Sequence, residues 1–295
     1  MKALSLKEID VVYSNGLKAL ENVNLELDAG NICALVGMNG AGKSTLFKAL
    51  TGALKPSRGS ILLAGLSVRE SLKLNQVAYV PQTEDVDWNF PVLVEDVVMM
   101  GRYGYMGFLR IPSKNDRAAV DEALNRVGLS ELRKRQIGEL SGGQKKRVFV
   151  ARALAQDGRI ILLDEPFTGV DVRTESSLME LFKSLAKDGR LILVSTHNLG
   201  SVPDFCSHVA LLNRTLIAGG LLRENFTHAN LAKAFGGMLR HLHIQGSHLK
   251  GDENFRGFSV LTDDERALVI VGDGDLQSVI QGKLKSTPGK SEKEE

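Results

Sequence analysis

The sequence predicts an α/β fold: a parallel sheet with helices between its strands, a helical insert, and an antiparallel β part at the N-terminus. Three observations lead there. Apolar runs at residues 31–36, 159–164 and 191–196 are too short for helices and read as strands buried on both faces. Segments with helical apolar spacing lie between such runs, which implies parallel order and ligands at the carboxyl ends of the strands. A glycine-rich loop follows the first of these runs and opens a helix.

Residues 3–13 and 17–27 read as two strands joined by the turn Ser14-Asn15-Gly16. After the buried run at 31–36, Leu46, Phe47, Leu50 and Leu54 recur at helical spacing, and Gly52 and Pro56 mark the end of that helix. Residues 61–63 and 77–80 read as further short strands. The pattern turns helical over 83–157. Residues 116–127 place Ala119, Val120, Ala123, Leu124 and Val127 on one side, and two more helices are expected after them, the second opening at Ser141. A helix at 174–187 separates the last two apolar strands. Beyond about residue 240, His241, His243 and His248 cluster. A weak strand pair at 257–261 and 267–271 follows, and 283–295 reads as a disordered tail of alternating charge.

Composition narrows the class. The chain has 295 residues, with 37 Lys and Arg against 35 Asp and Glu, a formal charge of +2. That balance lacks the basic excess of a nucleic-acid binder. A hydrophobic share of 43% suits a globular core. Cys33 and Cys206 cannot build a disulfide framework, so a reducing compartment is expected, with both thiols as packing residues. No run approaches the roughly 18 apolar residues of a membrane span. The first residues mix acid, base and apolar types, unlike a signal peptide.

Gly37-Met38-Asn39-Gly40-Ala41-Gly42-Lys43-Ser44-Thr45 matches G-x-x-x-x-G-K-[ST] between a strand and a helix. Glycines let the backbone aim its N–H groups at phosphate oxygens, and the helix start adds the positive end of its dipole. Lys43 suits the β- and γ-phosphates and the Ser44 hydroxyl suits Mg²⁺. The apolar strand ending in Asp164-Glu165-Pro166 brings two carboxylates to the same end of the sheet. Asp164 is placed to hold Mg²⁺ and Glu165 to orient and polarise the attacking water. Leu140-Ser141-Gly142-Gly143-Gln144 opens a helix with an S-x-x-Q capping box, a second anion-attracting N-terminus.

Through these three motifs, residues 1 to about 240 resemble the nucleotide-binding subunit of ABC transporters. The resemblance implies an α/β P-loop NTPase (ABC-type ATPase) core with a helical subdomain insert and an antiparallel β N-terminal part. It divides the chain into an ATP-binding domain at 1–240, its helical subdomain at about 83–157, and an extension at 241–295. It implies that Tyr13 stacks on adenine and that Gln82, after Tyr79-Val80-Pro81, senses Mg²⁺ and touches the membrane partner. Asp171 would be the D-loop acid, and His197, in Ser195-Thr196-His197, the switch histidine at the γ-phosphate. Glu165, His197 and Gln82 would be catalytic. Tyr13, Gly37, Asn39, Gly40, Ala41, Gly42, Lys43, Ser44, Thr45, Ser141, Gly142, Gly143, Gln144 and Asp171 would hold ATP, with Mg²⁺ on Ser44, Gln82 and Asp164.

One phosphate loop and one separate capping helix per chain imply a head-to-tail dimer closing on ATP. The resemblance implies as partners a second copy, integral membrane permease subunits docking near residues 82–107, and an extracytoplasmic metal-binding protein acting through the permease. No nucleic-acid partner is expected, and the implied location is peripheral, on the cytoplasmic face of the inner membrane. Trp88, Phe90, Tyr103, Tyr105 and Phe108 are candidate anchors for the permease, the alternative being that they close the insert's own core. Residues 82–104, 138–148 and 166–171 further resemble importers of manganese and iron, a subclass shared with zinc systems, and the same role in a zinc or other metal-chelate importer is the alternative. A DNA-repair or translation ATPase is the remote alternative, set against the absence of a long coiled-coil insert or a second cassette. Metal binding by His241, His243 and His248 is weaker still, because they lack an acidic or thiol companion at fixed spacing.

Overall fold

Strands β1 (Lys2–Val12) and β2 (Lys18–Asp28) pair antiparallel across the expected turn. The apolar phase of β1 changes midway: Leu4 and Leu6 are buried, then Ile9 and Val11. Glu8, at φ 50°, sits where the register shifts between Leu6 and Ile9, and this bulge keeps all four side chains on one face. The computed structural model describes residues 2–82, 87–88 and 90–236, and the backbone of Arg240–Ile244, Phe258–Thr262 and Leu268–Val271.

The chain continues through β3 (Ile32–Val36), α1 (Lys43–Leu50), β4 (Arg58–Leu63), β5 (Leu66–Ser67), α2 (Val68–Lys73) and β6 (Val77–Val80). The helical region holds α3 (Val94–Met99), α4 (Lys114–Arg126) and α5 (Gly142–Ala155). Then come β7 (Ile160–Asp164), α6 (Val172–Lys187), β8 (Leu191–Thr196), α7 (Val202–Phe205), β9 (His208–Asn213), β10 (Thr215–Leu221), α8 (Leu222–Asn225) and α9 (His228–Ala234). A four-stranded sheet has the order β2-β1-β4-β5, and a six-stranded sheet the order β10-β9-β3-β8-β7-β6. Within the larger sheet β9, β3, β8, β7 and β6 are parallel and β10 is an antiparallel edge.

Period-two alternation gives the parallel sheet two different cores. Cys33, Leu35, Ile160, Leu162, Leu191 and Leu193 face α1 and the antiparallel sheet. Ala34, Val36, Ile161, Leu163, Ile192 and Val194 face the helices, including α5 and α6. Helix α1 is thus packed through Leu46, Phe47, Ala49 and Leu50 into the layer beside the N-terminal strands. Its N-terminus, like the ends of β7 and β8, lies at the carboxyl edge of the sheet, where the topology places ligands.

Most expected elements are present, with two corrections. After α4 the chain makes two single 3₁₀ turns, Ser130–Leu132 and Ile137–Glu139, and one helix, α5, where two helices were expected. The short turns answer to Gly128 and Gly138, which interrupt the periodic pattern needed for a full helix. The helical region instead gains α3 before α4. The strand pair expected near 257–271 is β12 (Phe258–Thr262) and β13 (Leu268–Val271), joined in an antiparallel sheet by β11 (Arg240–Ile244). The side chains of His241 and His243, all of His248, and the tail at 283–295 lie outside the described residues.

Candidate functional site

The loop after β3 is built by close packing against backbone. A Cβ on Gly37 would collide with the Leu212 carbonyl oxygen, and one on Gly42 would lie 2.5 Å from Leu20 Cδ2. Gly42 also holds φ +103°, in the left-handed region that favours glycine. It is the N-cap of α1 and supplies no side-chain cap, and the first turn carries no acid. The start of α1 is thus a helix N-terminus without a side-chain cap, the kind of place where anions bind. Lys43, 7% exposed, donates to the carbonyls of Gly37 (2.5 Å) and Met38 (3.1 Å), so its charge is held at the loop mouth. Asn39, Gly40 and Ser44 are exposed, whereas Ala41 and Thr45 are buried. Tyr13, at the start of the β1–β2 turn, brings its hydroxyl within 3.0 Å of Thr45 Oγ1.

The strand-end acids meet residues from both neighbouring strands. The parallel register sets Asp164 opposite Ser195, and the Ser195 hydroxyl donates to Asp164 Oδ1 at 2.5 Å. Burial pushes the Asp164 carboxyl above the usual carboxylate range, against the Ser195 hydrogen bond and the Lys43 charge, which favour its ionised form. Glu165 is 9% exposed and stands at φ 50°, where the chain turns off the strand. Its backbone N–H donates to Ser195 Oγ at 2.9 Å. Its Oε2 accepts from Gln82 Nε2 (2.8 Å) and Thr168 Oγ1 (3.3 Å), and its Oε1 lies 3.3 Å from His197 Nδ1. A cavity of about 280 Å³, bounded in part by Glu165, Thr168, Thr196 and His197, opens beside this carboxylate.

A second cluster forms around α5. Ser141 caps that helix, and its capping box with Gln144 is complete: Gln144 N–H donates to Ser141 Oγ, and Ser141 N–H to Gln144 Oε1. The glycines border the segment that opens α6. A Cβ on Gly143 would lie 3.5 Å from Thr174 Oγ1 and 3.6 Å from Asp171 Oδ2. Asp171 caps α6, accepting from Thr174 N–H (2.9 Å) and Thr174 Oγ1 (2.8 Å). These hydrogen bonds, the backbone one first, hold its carboxyl below the usual range.

Sequence reasoning missed Ser195, Thr168 and Lys146, whose ammonium donates to the Gln82 carbonyl at 3.1 Å. The signal for Ser195 was legible: a hydroxyl at the end of an apolar buried strand must find partners. Of the two readings given for the aromatics, Trp88 fits the second in part: it is half-buried and packs against the core of the helical region. It packs edge-on against Phe149 (5.8 Å) beneath Lys145 (4.3 Å). Phe90 and Phe108 remain exposed, at 63% and 100%.

Fold and site together define a nucleotide-binding ATPase, with a phosphate loop and a strand-end acid pair at one edge of a parallel sheet. Similarity to known proteins gives the family. Residues 20–168 match the ABC transporter family. The chain is 59% identical over 269 residues to the chelated iron transport system membrane protein YfeB of Yersinia pestis, with 91% of each covered. It is 56% identical to the manganese transport system ATP-binding protein MntA of Synechocystis sp., over 80% of this chain and 90% of that one. Among solved structures, cbiO1 from Clostridium perfringens, part of the transporter complex cbiONQ, superposes with a TM-score of 0.67 at 31% identity. That match covers 79% of this chain and 93% of the other. The chain belongs to the ABC transporter family and is one of its ATPases. Among the described residues, no helix is long and apolar enough to cross a membrane.

Proposed function

We propose that this chain drives an importer of manganese or iron, working as a homodimer docked on integral membrane permease subunits at the cytoplasmic face of the inner membrane. An extracytoplasmic metal-binding protein would deliver the ion to the permease. The names of YfeB and MntA, at 59% and 56% identity, support the substrate class. Zinc is the second reading, favoured by 44% identity to the zinc transport system ATP-binding protein TroB of Treponema pallidum. The ATP-binding domain is assigned to 1–240, with its helical subdomain at about 83–157. A separate sheet beginning at Arg240 supports treating 241–295 as an extension.

The observation that carries the ATPase reading is the Glu165 carboxylate, held by Gln82 and Thr168 and faced by His197 beside Asp164. In this position Glu165 accepts a proton from the attacking water, and His197 orients that water or the terminal phosphate. Lys43 and the uncapped start of α1 bind the phosphates, and Tyr13 packs on the base. Asn39 and the loop glycines supply backbone N–H groups. Mg²⁺ arriving with the nucleotide would neutralise phosphate charge, and the site offers it hard oxygen donors. These are the exposed Ser44 hydroxyl, the Asp164 carboxylate and the Gln82 amide oxygen, whose Nε2 is already engaged by Glu165.

The capped start of α5 lies against Gly169 and Asp171 of its own chain, so a second copy would have to present Ser141, Gly142, Gly143 and Gln144 to the nucleotide. Support for two copies comes from a solved relative: the ATP-binding cassette MJ0796 is dimeric in a post-hydrolysis state bound to ADP and Pi. That cassette is 28% identical to this chain, with a TM-score of 0.64. Exposed Phe90, Tyr103, Tyr105 and Phe108 supply apolar anchors for the permease. With a formal charge of +2, nucleic acid is not among the expected partners. Vesicles containing the chain and its copurified permease should take up radioactive manganese or iron when ATP is supplied, and Lys43→Ala should abolish uptake. Uptake of zinc alone would replace the substrate. Metal uptake indifferent to Lys43→Ala would refute the coupling.

A further inference from the structure

We propose that Ser195 is a positioning residue for ATP hydrolysis: its hydroxyl fixes the backbone of Glu165 and ties it to Asp164, so that the two acids act as one rigid unit. Ser195 is wholly buried at the end of β8, in the run Leu-Ile-Leu-Val-Ser-Thr. A hydroxyl buried there costs free energy unless both its hydrogen and a lone pair are engaged. Both are. The hydrogen goes to Asp164 Oδ1 at 2.5 Å, and the oxygen accepts the Glu165 N–H at 2.9 Å.

The register explains why the position matters. Asp164 of β7 lies opposite Ser195 of β8, at the last rung of the ladder before the chain leaves the sheet. At the next residue the backbone adopts φ 50°, a left-handed conformation that a glutamate does not prefer. That turn carries the Glu165 side chain toward Gln82 and His197. The N–H of Glu165 has left the strand ladder, and Ser195 Oγ is the acceptor that holds it. Without that acceptor the turn would have a wider choice of conformations, and the carboxylate would spend less time aligned with the water it activates. The same strand also leads into His197, two residues on, so one element sets both the backbone and a side-chain neighbour of Glu165.

The inference rests on Glu165 acting as the base. The test is a double-mutant cycle in the full chain, with Ser195→Ala, Glu165→Gln and their combination, read by phosphate release at saturating ATP and by the ATP concentration dependence. Ser195→Ala should lower kcat about tenfold, the equivalent of one lost hydrogen bond to a charged site. KM for ATP should stay within about twofold, because the phosphate loop is untouched. In the Glu165→Gln background the added Ser195→Ala change should cost nothing further in single-turnover hydrolysis. Ser195→Thr keeps the hydroxyl and should restore most of the parental kcat.

Parental turnover in Ser195→Ala would overturn the proposal, as would a full tenfold loss persisting in the Glu165→Gln background. So would Ser195→Thr turning over as slowly as Ser195→Ala while melting at the parental temperature. If Ser195→Ala is unstable, Ser195→Cys, close in size and a poor hydrogen-bonding partner, replaces it in the same cycle. Failure of the underlying reading looks different: Glu165→Gln itself would then retain turnover.

Discussion

Replacing Glu165 with glutamine separates the proton-accepting role proposed for it from any effect on the fold. The carboxylate Oε2 receives two hydrogen bonds, from Gln82 (2.8 Å) and Thr168 (3.3 Å), and Oε1 faces His197 Nδ1 at 3.3 Å. A glutamine of the same shape can place its amide oxygen where Oε2 was, and its NH₂ can donate to a neutral His197 Nδ1. The local network then survives, and the stability change should stay within about 1 kcal/mol. What is lost is a group able to take a proton, worth about 10²–10⁴ in rate, or about 3–5 kcal/mol of barrier. Phosphate release from purified Glu165→Gln at saturating ATP should therefore fall at least about a hundredfold. ATP binding should persist, and light scattering should find the ATP-bound dimer accumulating. A variant that keeps more than about a tenth of parental turnover, or stays monomeric in ATP, would refute this account of Glu165 and the two-copy mechanism respectively.

Three further outcomes follow from the geometry. Lys43→Ala removes the cation held by the Gly37 and Met38 carbonyls, and ATP affinity by equilibrium titration should drop at least about tenfold through loss of charge-assisted contacts. Gly42→Ala should destabilise by about 1–3 kcal/mol, because φ +103° and contacts at 2.5 Å to Leu20 and 2.9 Å to Ala19 leave no room for a methyl. Gly40→Ala, with φ +82° but nothing within 4 Å, should cost only about 1 kcal/mol, and thermal melts of the pair separate packing from backbone strain. The Ser113 hydroxyl, the Ser113 N–H and Arg102 hold the Asp116 carboxyl below its ordinary value of 3.8. Its stabilising contribution is thus fully present above pH 3.8 and lost as the pH falls through the lowered value. Asp116→Asn should melt below the parent near neutral pH by an amount equivalent to about 2 kcal/mol, and the gap should close only at lower pH.

How much was legible depended on whether the determinant was local. β3, β7 and β8 were read within a residue of their ends, because strands buried on both faces leave continuous apolar runs. Helix α3, six residues long, is shorter than two turns and has no side-chain cap to mark it. Helix α2 does carry a capping box, Ser67 with Glu70, and was missed beside the short strand β5. In the site, the phosphate loop, the acid pair and the Ser141 cap were found from consecutive residues. Ser195 was passed over as part of a strand ending, although its burial depends on partners that only the fold supplies.

By itself the sequence determined the local chemistry. Glycines at 37, 40 and 42 specify a tight turn into a helix, an apolar strand ends in two acids, and Ser141 with Gln144 caps a helix. Only the tertiary structure decided that Glu165 is held by Gln82 from beyond β6 and faced by His197 from beyond β8, and that Ser195 joins it to Asp164. It also decided that Trp88 is half-buried against the core while Phe90 and Phe108 stay outside. The reason is physical. A turn or a cap is specified by neighbours along the chain, whereas a contact between strands depends on sheet order and register, which are set by burying alternate residues across the whole domain.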